Sequence, residues 1–315
     1  MQIRTIIPQL WLIGLSSLAF NPTVAAEWPQ GQHAYTEGQT SVRTIQEVSD
    51  VRATARKYML FTPANSDTRP KPLVIVLHGG GGNGQQAMKM SNWNDEAQRR
   101  GWLVAYPYGS GKLGNRLLTW NAGNCCGYAM ERKIDDVAFI DKMISDIAQI
   151  QHLDSSRVYV TGISNGAMLA YKLACEMSDK IAAIAPVSGT MDWSSCRPSH
   201  SVSVMHFHGT ADNNVPFDGG IGSKALNPIS KRSVPSTLED WHKTNRCLPP
   251  KITHTHNNVV TFISSKCQNG HEVTLAKIDG GGHAWPGSQV SYAMLDKSSQ
   301  ELDATKEMAL FFSKH

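Results

Sequence analysis

Past residue 26, the 315-residue sequence has no apolar stretch long enough to cross a bilayer, which argues against a helical membrane-spanning protein. Its cysteines show no Cys-x2-Cys spacing, so no zinc or other metal site is expected. No Gly-Lys-Ser/Thr ending or dinucleotide fingerprint follows its glycine-rich segment, which removes phosphate-cradling chemistry. Basic residues do not cluster: Arg99-Arg100 and Lys231-Arg232 are isolated pairs without interleaved aromatics, and the formal net charge is +4. Nucleic-acid binding is therefore not expected. Repeats, low-complexity tracts and long linkers are lacking too, so a second domain has no sequence boundary. What is present, 41% hydrophobic residues in 315, suffices for one large buried core.

The amino terminus stands apart. Met1 to Arg4 carry a positive charge, residues 6–20 are mostly apolar, and Val24-Ala25-Ala26 places small residues where a signal peptidase cuts. Residues 1–26 read as a secretory signal and 27–315 as the mature domain. An uncleaved anchor fits less well, because Pro8, Gln9 and two serines interrupt a stretch already short for a span. No cysteine follows the small-residue site, so no lipid anchor is indicated. Export, to a periplasm or beyond the cell, exposes the six cysteines at 125, 126, 175, 196, 247 and 267 to oxidising conditions. Disulfides are expected; sequence leaves the pairing open, and Cys125 and Cys126 either bridge elsewhere or bond to each other.

Apolar runs at 57–61, 72–77, 103–106, 157–161, 181–187, 202–207 and 273–278 are bounded by Gly, Pro or Asn and read as buried strands. Between them, helical spacing appears at 91–100, 136–150, 165–177 and, more weakly, 236–245, with a last helix at 299–312; Asp135 or Asp136 caps the second. Residues 27–50 are polar and read as loop or short edge strands. The alternation predicts one α/β domain with a mostly parallel sheet.

Such sheets gather ligands at the carboxyl ends of their strands. There lies Gly162-Ile163-Ser164-Asn165-Gly166-Ala167-Met168, a strand end, a tight turn and a helix start. Glycines on both flanks remove the Cβ atoms that a strained turn at Ser164 would drive into its surroundings. A serine hydroxyl needs a base and a group to orient that base. Downstream, Asp212 follows the strand at 202–207, and His283 follows the strand at 273–278 in the glycine-rich loop Gly280-Gly281-Gly282-His283. Asp218 and Asp192 are alternative acids in nearby loops. His206 and His208 lie two apart on one strand face; with Asp212 they suggest a metal site, but strand packing or loop hydrogen bonding suits an isolated pair better. The oxyanion that forms when Ser164 attacks a carbonyl needs two NH donors, and the expected ones are Asn165 and Gly80 of His78-Gly79-Gly80-Gly81-Gly82.

With those motifs in order, together with Trp120-Asn121, Asn124-Cys125-Cys126-Gly127, Asp135-Asp136-Val137 and Gly282-His283-Ala284-Trp285-Pro286-Gly287, nearly all of the mature chain resembles the secreted esterases typified by poly(3-hydroxybutyrate) depolymerases, feruloyl esterases and acetylxylan esterases. The resemblance implies an α/β-hydrolase fold, a Ser164–Asp212–His283 triad, a Cys247–Cys267 disulfide and a second bridge between Cys175 and Cys196. The 247–267 loop is short enough for its closure to contribute roughly 3 kcal/mol. Trp285 would form either a wall of the acyl pocket or packed structure; Trp120 and Tyr108 are further candidates for that wall.

The expectation is a secreted serine esterase with no cofactor and no obligate protein partner, acting on feruloyl or acetyl esters of plant polysaccharide. Polyhydroxybutyrate oligomers are the alternative. The chain ends soon after the last expected helix, which tilts the expectation towards soluble or partly degraded substrates. A non-catalytic ligand-binding relative and a serine peptidase on the same fold are the remaining readings; the first is disfavoured because all three triad residues are present.

Overall fold

The computed structural model describes residues 38–46, 55–64, 68–193, 196–225 and 228–315; the expected signal at 1–26 lies outside them. The strands are β1 (Gln39–Ile45), β2 (Arg56–Thr62), β3 (Lys71–Leu77), β4 (Leu103–Pro107), β5 (Leu153–Ile163), β6 (Ala183–Val187), β7 (Ser203–Gly209), β8 (Lys251–His256), β9 (Val260–Lys266) and β10 (Glu272–Ile278). Among the described residues they form a single sheet in the order β1-β2-β4-β3-β5-β6-β7-β10-β9-β8. Every neighbouring pair from β4 to β10 is parallel, and antiparallel strands extend the sheet at both flanks.

The parallel strands are continuous apolar runs because both faces are covered. In β3, Leu73, Ile75 and Leu77 enter one core layer while Val74 and Val76 enter the other, the period-two alternation of an extended chain. Helices α1 (Gly84–Ser91), α2 (Trp93–Arg100) and α7 (Ala304–Phe312) cover the second face; α4 (Asp136–Ile150), α5 (Asn165–Glu176) and α6 (Val234–Thr244) cover the first, and a short α3 (Gly127–Glu131) lies between β4 and α4 in the chain. This is an α/β-hydrolase fold in one domain.

Several expectations need adjusting. The helix expected over 91–100 starts at Trp93 as α2, and a helix with no counterpart in the expectations, α1, ends just before it at Asn92, whose φ of 51° separates the two; asparagine tolerates this left-handed conformation. Asp135, not Asp136, caps α4 through the Ala138 NH, while Asp136 is buried against Arg56 at 2.8 Å. The last helix starts at Ala304 rather than 299, behind the capping side chain of Asp303. Strands β1, β8 and β9 have no counterpart among the expected apolar runs; β1 falls inside the segment read as loop or short edge strands. The disulfides join Cys175 to Cys196, Cys247 to Cys267 and, as a vicinal pair, Cys125 to Cys126.

Strand order sets the position of the site. From β3 the chain moves outward to β4, then returns to place β5 on the other side of β3. The carboxyl ends of β3 and β5 therefore flank a topological switch point, where an open α/β sheet leaves a crevice.

Candidate active site

Ser164 sits at that switch point, between the last residue of β5 and the first of α5, with φ 57° and ψ −122°. Few non-glycine residues adopt this conformation, and those that do cluster at functional sites. Its neighbours explain how it is accommodated. A Cβ on Gly162 would lie 2.7 Å from the Leu77 Cβ, and one on Gly166 would lie 2.5 Å from the His78 carbonyl oxygen. Both glycines thus let the turn press against the end of β3. The NH of Asn165, first in α5, has no acceptor within the helix.

The loop after β3 passes directly over this turn. A Cβ on Gly79 would be 3.5 Å from the Ser164 Cβ, and one on Gly80 would be 3.7 Å from the Asn165 Cβ. The Gly81 NH is committed to the Leu118 carbonyl and the Gly82 NH to the Gly79 carbonyl, whereas the Gly80 NH has no acceptor among the described residues. Beneath the loop, His78 donates from Nδ1 to the Gly79 carbonyl at 2.8 Å and accepts the Gly109 NH at Nε2, 3.0 Å away. Burial lowers its pKa to about 4, which keeps the ring neutral and able to make both bonds.

Trp120 belongs to this scaffold and not to an exposed pocket wall. It is 0% exposed, its indole NH donates to the His78 carbonyl at 2.9 Å, and its backbone NH and carbonyl pair with the Asn165 side-chain amide at 2.7 and 3.0 Å. Trp285 is likewise core: it is 1% exposed and donates to the Thr305 hydroxyl. Position near His283 in sequence gives no direction to its side chain. Tyr108 is half-buried at the end of β4, with the Lys57 ammonium over its ring.

Asp212 and His283 follow adjacent parallel strands, β7 and β10. Their turns are drawn together where Gly209 meets Gly281: a Cβ at Gly209 would fall 2.1 Å from the Gly281 carbonyl oxygen. That carbonyl accepts the Ala211 NH at 2.9 Å. As a result His283 Nδ1 lies 2.7 Å from Asp212 Oδ2, both side chains buried. Asp212 Oδ1 accepts the NH groups of Asn214 and Val215 at 2.9 and 2.8 Å. Burial alone would raise the Asp212 pKa. The His283 hydrogen bond, the fields of His283 and His208, and the Val215 NH outweigh it and hold the carboxyl below its ordinary range.

The alternative acids are placed elsewhere. Asp192 forms a buried ion pair with Lys231 at 2.6 Å, and Asp218 is exposed. A residue that sequence reasoning missed is Asp296. Its Oδ2 accepts the His283 NH at 2.9 Å, its own NH donates to the His283 carbonyl, and Lys224 reaches its Oδ1 at 2.7 Å. Asp296 therefore clamps the backbone of His283 as Asp212 holds its ring. No motif marks it; a carboxylate in a polar loop has no periodicity to read.

His206 and His208 do not present their nitrogens to a common point. His206 Nε2 and His208 Nδ1 bond each other at 2.9 Å, and among the described residues no three His, Cys, Asp or Glu side chains converge as a metal site.

Chemically, the arrangement offers a hydroxyl on a strained turn, a carboxylate-bound imidazole, and backbone NH groups at Gly80, which has no acceptor among the described residues, and at Asn165, the first residue of α5. Known proteins resemble the chain at several levels. A feruloyl esterase B from Piromyces equi is 31% identical over 73% of this chain and 42% of its own length. A bifunctional acetylxylan esterase/xylanase from Neocallimastix patriciarum is 23% identical over 77% and 33%. The chain thus spans less than half the length of either relative. An acetyl xylan esterase structure from Aspergillus awamori superposes with a TM-score of 0.60 over 87% of this chain and all of that one, at 17% identity, a likeness of fold. Residues 56–228, more than half of the chain, match the family described as esterase PHB depolymerase, and the chain belongs to that family.

Proposed function

We propose that the protein is a serine carboxylester hydrolase in which Ser164, His283 and Asp212 act as nucleophile, base and orienting acid. The observation that carries the reading is the 2.7 Å pairing of His283 Nδ1 with Asp212 Oδ2 on the same sheet edge as the strained turn at Ser164. Nδ1 of a neutral His283 is then the donor, which leaves Nε2 free to accept the Ser164 proton as Oγ attacks an ester carbonyl. The tetrahedral oxyanion is held by the Gly80 and Asn165 NH groups. It collapses as His283 returns the proton to the leaving alcohol, and water repeats both steps on the acyl-enzyme to release the acid and free Ser164.

Feruloyl or acetyl esters of plant polysaccharide are the proposed substrates, supported by the relatives' names. Hydroxybutyrate oligomers are a second reading, favoured by the family description. The basic, apolar, small-residue order of residues 1–26 and the three disulfides support export to a periplasm or beyond the cell. The test is a hydrolysis panel of methyl ferulate, acetylated xylan and hydroxybutyrate oligomers at equal enzyme concentration, with Ser164→Ala as control. Release of ferulate or acetate by the wild type alone supports the first reading, and release of hydroxybutyrate alone supports the second. Equal release by both proteins overturns the assignment of Ser164.

A further inference from the structure

Behind Asp212 lies a chain of buried polar rings that the ester-cleaving steps do not use. Tyr171 OH is 2.8 Å from His206 Nδ1, His206 Nε2 is 2.9 Å from His208 Nδ1, and His208 Nε2 is 2.8 Å from the Val215 carbonyl oxygen. All three side chains are fully buried. We propose that Tyr171, His206 and His208 form a directed relay that positions Asp212 for its bond to His283. The inference rests on the triad proposed above.

The far end of the chain fixes its direction. A carbonyl oxygen only accepts, so His208 Nε2 carries a hydrogen. A neutral ring has one donor and one acceptor, so His208 Nδ1 accepts and His206 Nε2 must donate. His206 Nδ1 in turn accepts from the Tyr171 hydroxyl. Burial pushes the pKa of both imidazoles down, His206 furthest, in keeping with neutral rings. Every ring nitrogen in the chain then has a partner.

Three consequences bear on Asp212. His208 Nε2 lies 3.5 Å from Asp212 Oδ2, the same oxygen that meets His283, so the ring nitrogen that bonds the Val215 carbonyl also borders the carboxylate. Val215 is also held at both ends, its NH by Asp212 Oδ1 and its carbonyl by His208, which fixes the turn carrying the acid. Finally, Tyr171 belongs to α5, the helix that begins beside Ser164. The relay thereby ties the nucleophile's helix to the acid's loop. The titratable groups around it are Tyr171 on α5, His206 on β7, Asp212 on the following loop and His283 after β10; the Phe217 ring edge packs on His208 and the Trp241 ring of α6 on Tyr171.

The test compares His208→Phe, His208→Gln and Tyr171→Phe with wild type on p-nitrophenyl acetate, from about pH 5 to about pH 9, with circular dichroism to check folding. Loss of a donor facing a buried carboxylate predicts a roughly 10-fold drop in kcat for His208→Phe, with KM within about twofold. The acid limb of its kcat/KM profile should move up by about half a pH unit, because a less satisfied Asp212 holds the His283 proton more tightly. His208→Gln keeps an amide near the Nε2 position and should recover most of both changes. Tyr171→Phe removes one oxygen without changing shape and should lower kcat about threefold. A folded His208→Phe with an unmoved limb, a Gln variant no better than Phe, or a Tyr171→Phe variant equal to wild type would each overturn the relay. One readout is independent of turnover: 15N-histidine NMR of the wild type should show His206 and His208 as neutral Nε2–H tautomers at about pH 6. An Nδ1–H tautomer or a protonated ring at either position refutes it even where the esterase reading itself fails.

Discussion

Asp212→Asn probes the proposed mechanism at one atom, because the structure dictates how the amide must sit. In the wild type, Oδ1 accepts two backbone NH groups, from Asn214 and Val215, while Oδ2 faces His283 Nδ1 at 2.7 Å. An asparagine can satisfy Asn214 and Val215 only by placing its oxygen at the Oδ1 position. Its NH2 then points at His283, with His208 Nε2 3.5 Å from that position in the wild-type geometry. His283 must become an acceptor at Nδ1, which moves its proton to Nε2, the nitrogen that should receive the Ser164 proton. A wrong tautomer of this kind costs about 10^4-fold in kcat at neutral pH, or roughly 5 kcal/mol of transition-state stabilisation. Because two of the three hydrogen bonds to the side chain survive, global stability should fall by only about 1 kcal/mol. The assay is kcat and KM on p-nitrophenyl acetate near neutral pH, alongside a urea denaturation curve. A stable variant within about tenfold of wild-type kcat would show that Asp212 does not orient the base.

Other outcomes follow from the same geometry. Gly166→Ala should lose about 1 to 3 kcal/mol of stability and most of its activity, because its Cβ would meet backbone at 2.5 Å; calorimetry showing an unchanged melting temperature would refute the contact argument. His78, held near a pKa of about 4 by burial, refuses a proton that the unfolded chain accepts below its ordinary value of 6.5. Its contribution is present above that value and is lost as pH falls towards 4, by about 3 kcal/mol at about pH 4.5. The difference in urea-derived stability between neutral pH and about pH 4.5 should therefore shrink in His78→Gln, and an identical pH dependence in the two proteins would contradict the buried neutral ring.

What was legible in the sequence was whatever leaves a local signature. The inner strands are continuous apolar runs since both faces are buried, and the turn at Ser164 announces itself because Gly162 and Gly166 each sit where a Cβ would strike β3. Asp212 and His283 could be picked out as short steps past apolar strands, and the structure brings them into contact. Strands β8 and β9 could not. All of β8, Lys251 to His256, is exposed; ladder hydrogen bonds to β9 hold it, and these leave no trace in hydropathy. Asn92 takes a left-handed conformation between α1 and α2, and nothing local in the sequence marks that break. Trp120 and Trp285 were readable as aromatics near the site, but which way a ring points depends on acceptors distant in sequence, the His78 carbonyl and Thr305. The same holds for Asp296, whose role lies in a backbone contact, and for the His206–His208 pair, whose meaning depends on Tyr171.

The proposed chemistry turns on Ser164 as the acylated nucleophile. Treating the folded protein with a fluorophosphonate and mapping the modified peptide by mass spectrometry tests this directly. One adduct is expected, on the peptide containing Ser164, absent from Ser164→Ala and much slower to form in Asp212→Asn. An adduct on another residue, or equal labelling of Ser164→Ala, would contradict it.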